Sequence, residues 1–319
     1  MSAYYDQRKN YLHYNNNHSR ITSGPETCHA LSPVTVQHLA REWIKEDSPN
    51  FDFGGFVVGE KKVTAALIMR QAGVLAGRPF IDAVFKELEC EIEWLYPEGT
   101  YLNPVQTVAI IKGRVRCLLL GERVALNCAC RASGLATLAR KLALKAEGVG
   151  WKGKLADTRR TTPGFRLVEK YSLFVGGLAT HRYDLSSMII LRDNHIWTAG
   201  SIQKAVKDAK LVSGFSMKIE VECRNLEDAL EAANAGCDVI LFENPTAEVA
   251  KKYAESLKQH FPDVMIEISG DIPEDLLVDY CSDYIDVISL NQLTMGYSPV
   301  NFTLKMTKST KLSINQNYI

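Results

Sequence analysis

Six short apolar runs recur after residue 153 of this 319-residue chain, and their spacing constrains the fold more than any other feature. From the second run onward, successive runs end 21 to 30 residues apart, which leaves room for one strand, one helix and two loops. The pattern therefore predicts a string of βα units that forms an open parallel sheet or closes into a barrel with fewer than eight strands. The predicted strands are residues 154–156, 188–191, 217–221, 239–242, 265–268 and 284–289.

The chain before residue 153 has a different pattern, in which helical stretches alternate with short β-type runs. Ser32 followed by Pro33 is typical of a helix N-terminus, because serine caps the first turn and proline fits the first helical position. The β-type runs are broken by Gly and Pro, which favours an α+β module with a mostly antiparallel sheet. Predicted helices cover residues 33–44, 78–88 and 119–147, and predicted strands cover residues 55–59, 63–69, 90–95 and 105–112.

The composition is that of a globular protein with polar ends. Residues 1–30 and 307–319 have no hydrophobic period, so we expect both to be disordered tails. Lys plus Arg and Asp plus Glu both number 37, and this zero net charge disfavours nucleic-acid binding through bulk charge. No apolar stretch reaches the roughly 18 residues of a membrane span, and the N-terminus lacks the apolar segment of a secretory signal.

The eight cysteines indicate a reducing compartment. They form no Cys-x-x-Cys pair, and no histidine lies at zinc-ligand spacing from them. A disulfide framework is untypical of so long a chain without an export signal, so we expect buried free thiols. The predicted location is cytoplasmic, with the nucleus as a second compartment.

Basic residues cluster in three segments near predicted strand ends: Arg159 with Arg160, His181 with Arg182, and Arg192. A single arginine there would be read as a solvated loop charge, and a single histidine as a structural one. The carboxyl ends of parallel strands meet at one edge of a sheet, however, so these side chains are expected to converge. Because guanidinium groups bind carboxylate and phosphate through two parallel hydrogen bonds, the sequence predicts a pocket for a substrate with several acidic groups.

Acidic residues form a second cluster. Glu220 and Glu222 are two apart in a predicted strand and share a face, and Glu243 follows the next strand. A buried carboxylate needs a partner, so pairing with Lys218 or the arginines is one interpretation, above all for Glu220. Coordination of Mg²⁺ and binding of ribose hydroxyls is the other, because Mg²⁺ prefers hard oxygen ligands.

A third cluster has the pattern of a phosphate loop. Ser269 and Gly270 follow a late strand, and Ser289 lies in the next one. Barrel loops after the last strands commonly bind phosphate with backbone N–H groups, although an ordinary glycine turn has the same sequence. Asp271 and Asn291 stand where a phosphate site would favour small, uncharged residues. Together the three clusters indicate an enzyme, or a former enzyme, for an anionic small molecule and a sugar phosphate.

Several long strings resemble the quinolinate phosphoribosyltransferase family, with the likeness nearest to its eukaryotic and especially fungal members. The likeness covers residues 31–306 and implies an α+β sandwich with one open face, formed by residues 31–132 and about 296–306. It also implies an incomplete α/β barrel over residues 133–295. The strings are GERVALN (121–127), TRRTTPGFRLVEKY (158–171), HRYDLSSMIILRDNHI (181–196), KIEVEC (218–223) and ISG (268–270).

The resemblance implies transfer of phosphoribose from 5-phosphoribosyl 1-pyrophosphate to quinolinate with Mg²⁺, which releases pyrophosphate and CO₂ and leaves nicotinate mononucleotide. It also implies an obligate dimer, or a higher homo-oligomer, in which Arg123 completes the neighbouring site. The implied quinolinate residues are Arg123, Arg159, His181 and Arg182. For the phosphoribosyl half, the resemblance implies four catalytic groups: Arg160, Arg192, Glu222 and Glu243. Two of them, Glu222 and Glu243, are also the implied Mg²⁺ ligands. The implied residues around the phosphate are Ser269, Gly270, Asp271 and Asn291.

This chain departs from the family pattern at five of those positions. Arg160 and Arg192 stand where the family has lysine, Glu243 where it has aspartate, Asp271 where it has a second glycine, and Asn291 where it has a small residue. All five lie on the phosphoribosyl half, whereas the quinolinate half is intact. A second hypothesis is therefore a catalytically impaired paralogue that binds quinolinate or a related pyridine carboxylate as a sensor, a regulator or a side-pathway protein.

Overall fold

The computed structural model describes residues 27–307, so most of the tails predicted for residues 1–30 and 307–319 lies outside the described residues. The prediction is wrong for the described part, because residues 27–30 are helical and Thr307 ends a strand. A 3₁₀ turn at Thr27–Ala30 precedes the first helix. The α-helices of the described chain are α1 (Pro33–Asp47), α2 (Phe53–Val58), α3 (Arg78–Glu87), α4 (Val115–Glu147), α5 (Arg166–Gly176), α6 (Asp193–Ala199), α7 (Ile202–Ser213), α8 (Leu226–Ala235) and α9 (Ala247–His260). The strands are β1 (Lys62–Met69), β2 (Gly73–Val74), β3 (Glu91–Trp94), β4 (Tyr101–Leu102), β5 (Gln106–Arg114), β6 (Lys154–Ala156), β7 (Ile189–Leu191), β8 (Ile219–Glu222), β9 (Val239–Glu243), β10 (Met265–Gly270), β11 (Val287–Leu290) and β12 (Phe302–Thr307).

The N-terminal unit is a four-stranded antiparallel sheet in the order β12-β1-β5-β3, packed against α3 and α4. The last strand of the chain returns to this sheet and pairs with β1, from Thr64 opposite Thr307 to Met69 opposite Phe302. This return of the C-terminal segment and the α+β class of the unit are confirmed. Phe85 on α3 is fully buried among the side chains of this sheet, whereas the equally buried Phe80 on the same helix packs in a separate cluster with Tyr171.

One predicted strand of this unit is wrong. Residues 55–59 were expected to be extended, but Phe53–Val58 form a short helix. The cause is the preceding residue: the Asp52 carboxylate accepts a hydrogen bond of 2.8 Å from the backbone N–H of Gly55 and so caps the first turn. The two-stranded ribbon of β2 and β4 was not predicted, because each strand has only two residues.

The second unit is a parallel sheet of six strands in the order β7-β8-β9-β10-β11-β6. Its strands follow the chain order except that β6 joins the far end, so the sheet curls back toward its start. A single parallel bridge from Ala156 to Ala179 lies beyond β6, on the side that faces the start of the sheet. The incomplete barrel is confirmed, and the carboxyl ends of its strands carry the polar side chains described below.

Helix α4 joins the two units, since its 33 residues run through the predicted boundary between residues 132 and 133. Small residues allow other segments to approach it closely. A Cβ atom at Gly134 would lie 2.3 Å from the carbonyl oxygen of Ser298, where the chain crosses toward β12. At Gly176 on α5, a Cβ atom would lie 2.3 Å from the Cβ of Ala139. Glycine is therefore required at both crossings. Among the described residues, no helix has both the length and the apolar character needed to cross a bilayer.

We predict that Gly134→Ala destabilises the protein by about 1–3 kcal/mol, because the new methyl group overlaps the Ser298 carbonyl and the backbone must move apart. Urea denaturation followed by circular dichroism measures the change. Gly54→Ala is the matched control, since its Cβ would meet only the Asp52 carboxylate at 3.7 Å and alanine favours the helix by up to about 1 kcal/mol. Equal stability of the two variants would contradict the close crossing.

Candidate active site

A cavity of about 220 Å³ lies at the carboxyl edge of the barrel sheet. The structure brings seven of the twelve predicted site residues together on its walls: Arg159, Arg160, His181, Arg182, Arg192, Ser269 and Asn291. The other lining residues are Thr158, Ile190, Glu220, Leu241, Glu267 and Ser289. Five cationic or ionisable nitrogen groups thus surround a space of small-molecule size, which is the arrangement that a polyanion requires.

The remaining five predicted residues do not line the cavity. Glu222 and Glu243 end the adjacent strands β8 and β9, and Gly270 and Asp271 follow at the end of β10. Asp271 is exposed, and its carboxylate is not part of the cavity wall. Arg123 is exposed on α4, outside the cavity of its own chain.

A buried ion pair positions the basic loops. The Lys170 ammonium group on α5 contacts both carboxylate oxygens of Asp157, at 2.9 and 2.7 Å, and both side chains are almost fully buried. Lys170 also donates to the carbonyl oxygens of Thr158 and His181, while the Asp157 carboxylate accepts the backbone N–H of His181 at 2.8 Å. The pair therefore holds the loop before Arg159 against the loop before Arg182.

Burial acts on both members of this pair. It raises the pKa of Asp157 and lowers the pKa of Lys170, because each charged form loses its hydration, and the opposite charge of the partner works against both shifts. Neither charge has any other counter-ion at hydrogen-bond distance among the described residues. Each group is therefore stable as an ion only while the other is present.

His181 lies between two buried glutamates at the base of the cavity. Its Nε2 atom is 3.2 Å from Glu267 and 3.4 Å from Glu220, and the Ser289 hydroxyl donates to the other oxygen of Glu267 at 2.5 Å. Burial lowers the pKa of His181, but the two carboxylates outweigh this effect and raise it to about 10. The carboxylates thus favour the charged ring, whereas the backbone N–H of Arg182, which donates to Nδ1 at 2.8 Å, favours the neutral one; both forms keep a hydrogen on Nε2, the atom that faces the carboxylates.

The His181, Glu220 and Glu267 cluster offers three groups of the metal-ligand type within 4.8 Å of one another. It does not fit a metal ion, however. Nδ1 accepts the Arg182 N–H, so the ring hydrogen is on Nε2, the atom that would have to bind the metal. Burial and the like charge of Glu267 both raise the pKa of the fully buried Glu220, which works against the charged carboxylate that a metal ligand requires.

Glu222 and Glu243 fit the predicted Mg²⁺ better. Within residues 27–307, the buried oxygen of Glu222 has no hydrogen-bond partner, and Arg192 approaches it only to 3.7 Å. Burial raises the pKa of Glu222, Arg192 opposes this shift, and the like charge of Glu243 adds to it. Two neighbouring carboxylates that repel each other, one with an orphaned oxygen, are a donor set that suits a hard divalent cation.

Sequence reasoning places Asp157 at the end of the first predicted strand without a role of its own, and it missed Lys170 and Glu267 as site residues. Glu267 could have been found, because it is two residues before Ser269 in a strand and repeats the spacing of Glu220 and Glu222. The predicted pairing of Glu220 with Lys218 is wrong: the Lys218 ammonium group is exposed and lies 3.2 Å from the sulfur of Met265. The partner of Glu220 is His181, which a pattern within one strand could not reveal.

The fold and site together define a two-domain protein with a cationic small-molecule cavity at the open edge of an incomplete barrel. Comparison with family models agrees with this class of protein and identifies the family within it. The family model described as "Quinolinate phosphoribosyl transferase, C-terminal domain" matches residues 135–305, and the corresponding N-terminal domain matches residues 50–133. The chain belongs to the quinolinate phosphoribosyl transferase family.

Curated relatives and solved structures share most of the chain. The human protein named nicotinate-nucleotide pyrophosphorylase [carboxylating] is 47% identical over 86% of this chain and 93% of its own length. The protein of that name from Dictyostelium discoideum is 41% identical over 89% of this chain and 99% of its own. The solved structure of the nicotinate-nucleotide pyrophosphorylase from Francisella tularensis superimposes with a TM-score of 0.79 at 31% identity, over 87% of this chain and 98% of that one.

We predict that Lys170→Met lowers the free energy of unfolding by about 3–5 kcal/mol, because it leaves Asp157 as an uncompensated buried charge. Denaturant titration measures the loss. The defect should shrink as pH falls toward about 4, since burial raises the pKa of Asp157 and the folded protein then takes up a proton that neutralises it.

Lys152→Met is the control for this prediction, because Lys152 is exposed and its replacement should change stability by no more than about 0.5 kcal/mol. A Lys170→Met defect that matches the control, or that grows on acidification, would show that the pair does not hold the loops.

Proposed function

We propose that this chain is a nicotinate-nucleotide pyrophosphorylase (carboxylating), which in the biosynthetic direction joins quinolinate to 5-phosphoribosyl 1-pyrophosphate. The products are nicotinate mononucleotide, pyrophosphate and CO₂, which places the reaction in NAD biosynthesis. The observation that carries this proposal is the convergence of four arginines and His181 on one cavity at the barrel edge. Its support from relatives is the name shared by proteins up to 47% identical over most of the chain.

We assign the two carboxylates of quinolinate to Arg159, Arg182 and His181. The pKa of Arg182 is lowered by burial and by the neighbouring charges of Arg159 and Arg192, so an empty cavity holds guanidinium groups that repel one another. A planar diacid relieves this repulsion and accepts their hydrogen bonds in pairs. The proton that the glutamates hold on Nε2 fixes the His181 ring in one orientation at the base of the cavity.

Glu222 and Glu243 would hold Mg²⁺ beside the ribose and pyrophosphate. When bound, the ion supplies charge neutralisation for the departing pyrophosphate. The same two carboxylates also favour the positive charge that develops on the ribose ring, and Arg160 and Arg192 face the leaving anion. Pyrophosphate departure therefore places negative charge near arginines and positive charge near glutamates.

The pyridine nitrogen is the nucleophile, so the proposed reaction needs no general base. Its lone pair forms the bond to C1 of the ribose while the C1–oxygen bond breaks and its electrons leave with pyrophosphate. The bond to the 2-carboxylate then breaks, CO₂ leaves, and the electron pair stays on the ring carbon next to the cationic nitrogen until a proton replaces it. Binding through Arg159 and Arg182 orients the ring for the first step.

We further propose a homodimer in the cytoplasm. Arg123 is exposed on α4 and does not reach the cavity of its own chain, which is the placement expected for a residue lent to a neighbouring site. Support for the compartment comes from the cysteines: all eight are free and five are buried, as in a chain kept reduced.

A second candidate function is binding of quinolinate without turnover. Two observations favour it: the buried Asn291 side chain occupies the cavity wall where the family has a small residue, and Arg192 is directed at Glu222. An arginine is wider than the lysine of the family pattern, and a misplacement of about 1 Å can cost around a hundredfold in rate. The quinolinate half would bind normally in such a protein.

We predict turnover by the full-length protein supplied with quinolinate, phosphoribosyl pyrophosphate and Mg²⁺, measured as nicotinate mononucleotide formed.

Arg159→Ala should weaken quinolinate binding in calorimetry by at least about tenfold, because each hydrogen bond to a charged group contributes about 1.5–3 kcal/mol. Arg224→Ala is the control, since Arg224 is exposed, pairs with Asp228 and lies outside the cavity. Quinolinate binding without product would establish the second candidate, and unchanged affinity in Arg159→Ala would refute the binding assignment.

We also predict that Arg123→Ala and Arg159→Ala are each inactive but complement each other when mixed and allowed to exchange subunits. In a mixed dimer, one of the two sites has both arginines, so equal amounts should recover about a quarter of wild-type activity. The absence of any recovery, with subunit exchange verified by mass, would show that Arg123 does not act in the neighbouring site.

A further inference from the structure

Asn244 has an unusual backbone and lies between two parts of the proposed site. It follows Glu243 at the end of β9 and has a φ of +53°. Among the described non-glycine residues, only Glu89 shares this left-handed conformation. Asparagine tolerates that region better than most residues, but such a backbone persists only where surrounding contacts hold it.

Two hydrogen bonds tie Asn244 to the end of the next strand. Its backbone N–H donates to the Ser269 carbonyl oxygen at 2.7 Å, and its side-chain oxygen accepts the backbone N–H of Asp271 at 3.1 Å. The two bonds bracket Gly270, where a Cβ atom would lie 2.1 Å from that same side-chain oxygen. The close approach explains why glycine stands at position 270.

We propose that Asn244 is a positioning residue that fixes the turn 269–271 in the conformation that receives the phosphate end of phosphoribosyl pyrophosphate. This inference rests on the proposed function. The Ser269 hydroxyl lines the cavity, and its orientation depends on a backbone whose two sides are bonded to Asn244. The neighbouring Glu243 is a proposed Mg²⁺ ligand, so the same segment links the carboxylates to the phosphate turn.

The two hydrogen bonds to Asn244 also explain how the chain accommodates Asp271. The family pattern has glycine there, and a carboxylate beside a phosphate would repel it. Because the Asp271 N–H is bonded to Asn244, the backbone direction of this residue is fixed, and its side chain is exposed rather than part of the cavity wall. Without Asn244, the turn is free to rotate and the Asp271 charge is free to approach the phosphate position.

The test is Asn244→Gly in the full-length protein, because glycine adopts the same backbone without strain and removes the side chain that accepts the Asp271 N–H. We expect KM for phosphoribosyl pyrophosphate to rise about three- to tenfold, the effect of losing one neutral hydrogen bond, while KM for quinolinate stays within about twofold. Calorimetric binding of phosphoribosyl pyrophosphate with Mg²⁺ should weaken by the same factor. The control is Glu89→Gly, a change to glycine at the other left-handed residue, which does not line the cavity and should alter neither KM.

Each result decides the inference separately from the proposed function. If the wild-type protein is active and Asn244→Gly has the same two KM values as the wild type, the inference alone is overturned. The same holds if both KM values rise by the same factor, or if the variant no longer folds. A wild-type protein that binds phosphoribosyl pyrophosphate without turnover, with weaker binding in Asn244→Gly, supports the inference and refutes the proposed activity. Failure of the wild-type protein to bind phosphoribosyl pyrophosphate at all overturns both.

Discussion

Two opposite charges buried beneath the barrel edge, Asp157 and Lys170, determine where the cationic groups of the cavity lie. The Asp157 carboxylate, after β6, accepts the backbone N–H of His181 in the segment that leads into β7, and Lys170 on α5 donates to both Asp157 and the His181 carbonyl oxygen. These two strands are not paired with each other in the sheet, and among the described residues only the single bridge from Ala156 to Ala179 joins the two segments through their backbones. A charged pair with no other counter-ion is a suitable connection at that gap, because breaking it would leave a bare charge in the interior.

The second constraint is the concentration of positive charge in the cavity. Burial lowers the pKa of Arg182, and the nearby charges of Arg159 and Arg192 lower it further, so these like charges repel one another in the ligand-free protein. Glu220 and Glu267 provide part of the compensation, but they are engaged with His181 at the base rather than with the arginines at the rim. Part of the positive charge in the ligand-free cavity therefore remains unbalanced, and the like charges repel one another. A bound anion relieves this repulsion, which contributes favourably to the free energy of binding.

The order of βα units and the convergence of basic loops could be predicted from the sequence, because both follow from the regular spacing of strand ends. Contacts between distant segments could not be. The helix at Phe53–Val58 depends on a single carboxylate cap, which outweighed an apolar run that resembled a strand. The partner of Glu220 is His181, 39 positions away, whereas the sequence pattern pointed to a residue in the same strand. Local periodicity reports which face a side chain occupies and carries no information on which loop reaches it.

The two arginines that stand where the family pattern has lysine differ from lysine in the shape of their charged group. A lysine is a compact charge on a flexible chain, whereas the guanidinium of Arg192 is a planar group already directed at Glu222. Glu243 is one methylene longer than the aspartate of the family pattern and lies on the neighbouring strand. Arg192 and Glu243 lie at the strand ends on either side of Glu222, and their opposite charges act on its pKa in opposite directions. The exchanges at these two positions therefore act on the same carboxylate, and a change at one of them is expected to alter the effect of the other.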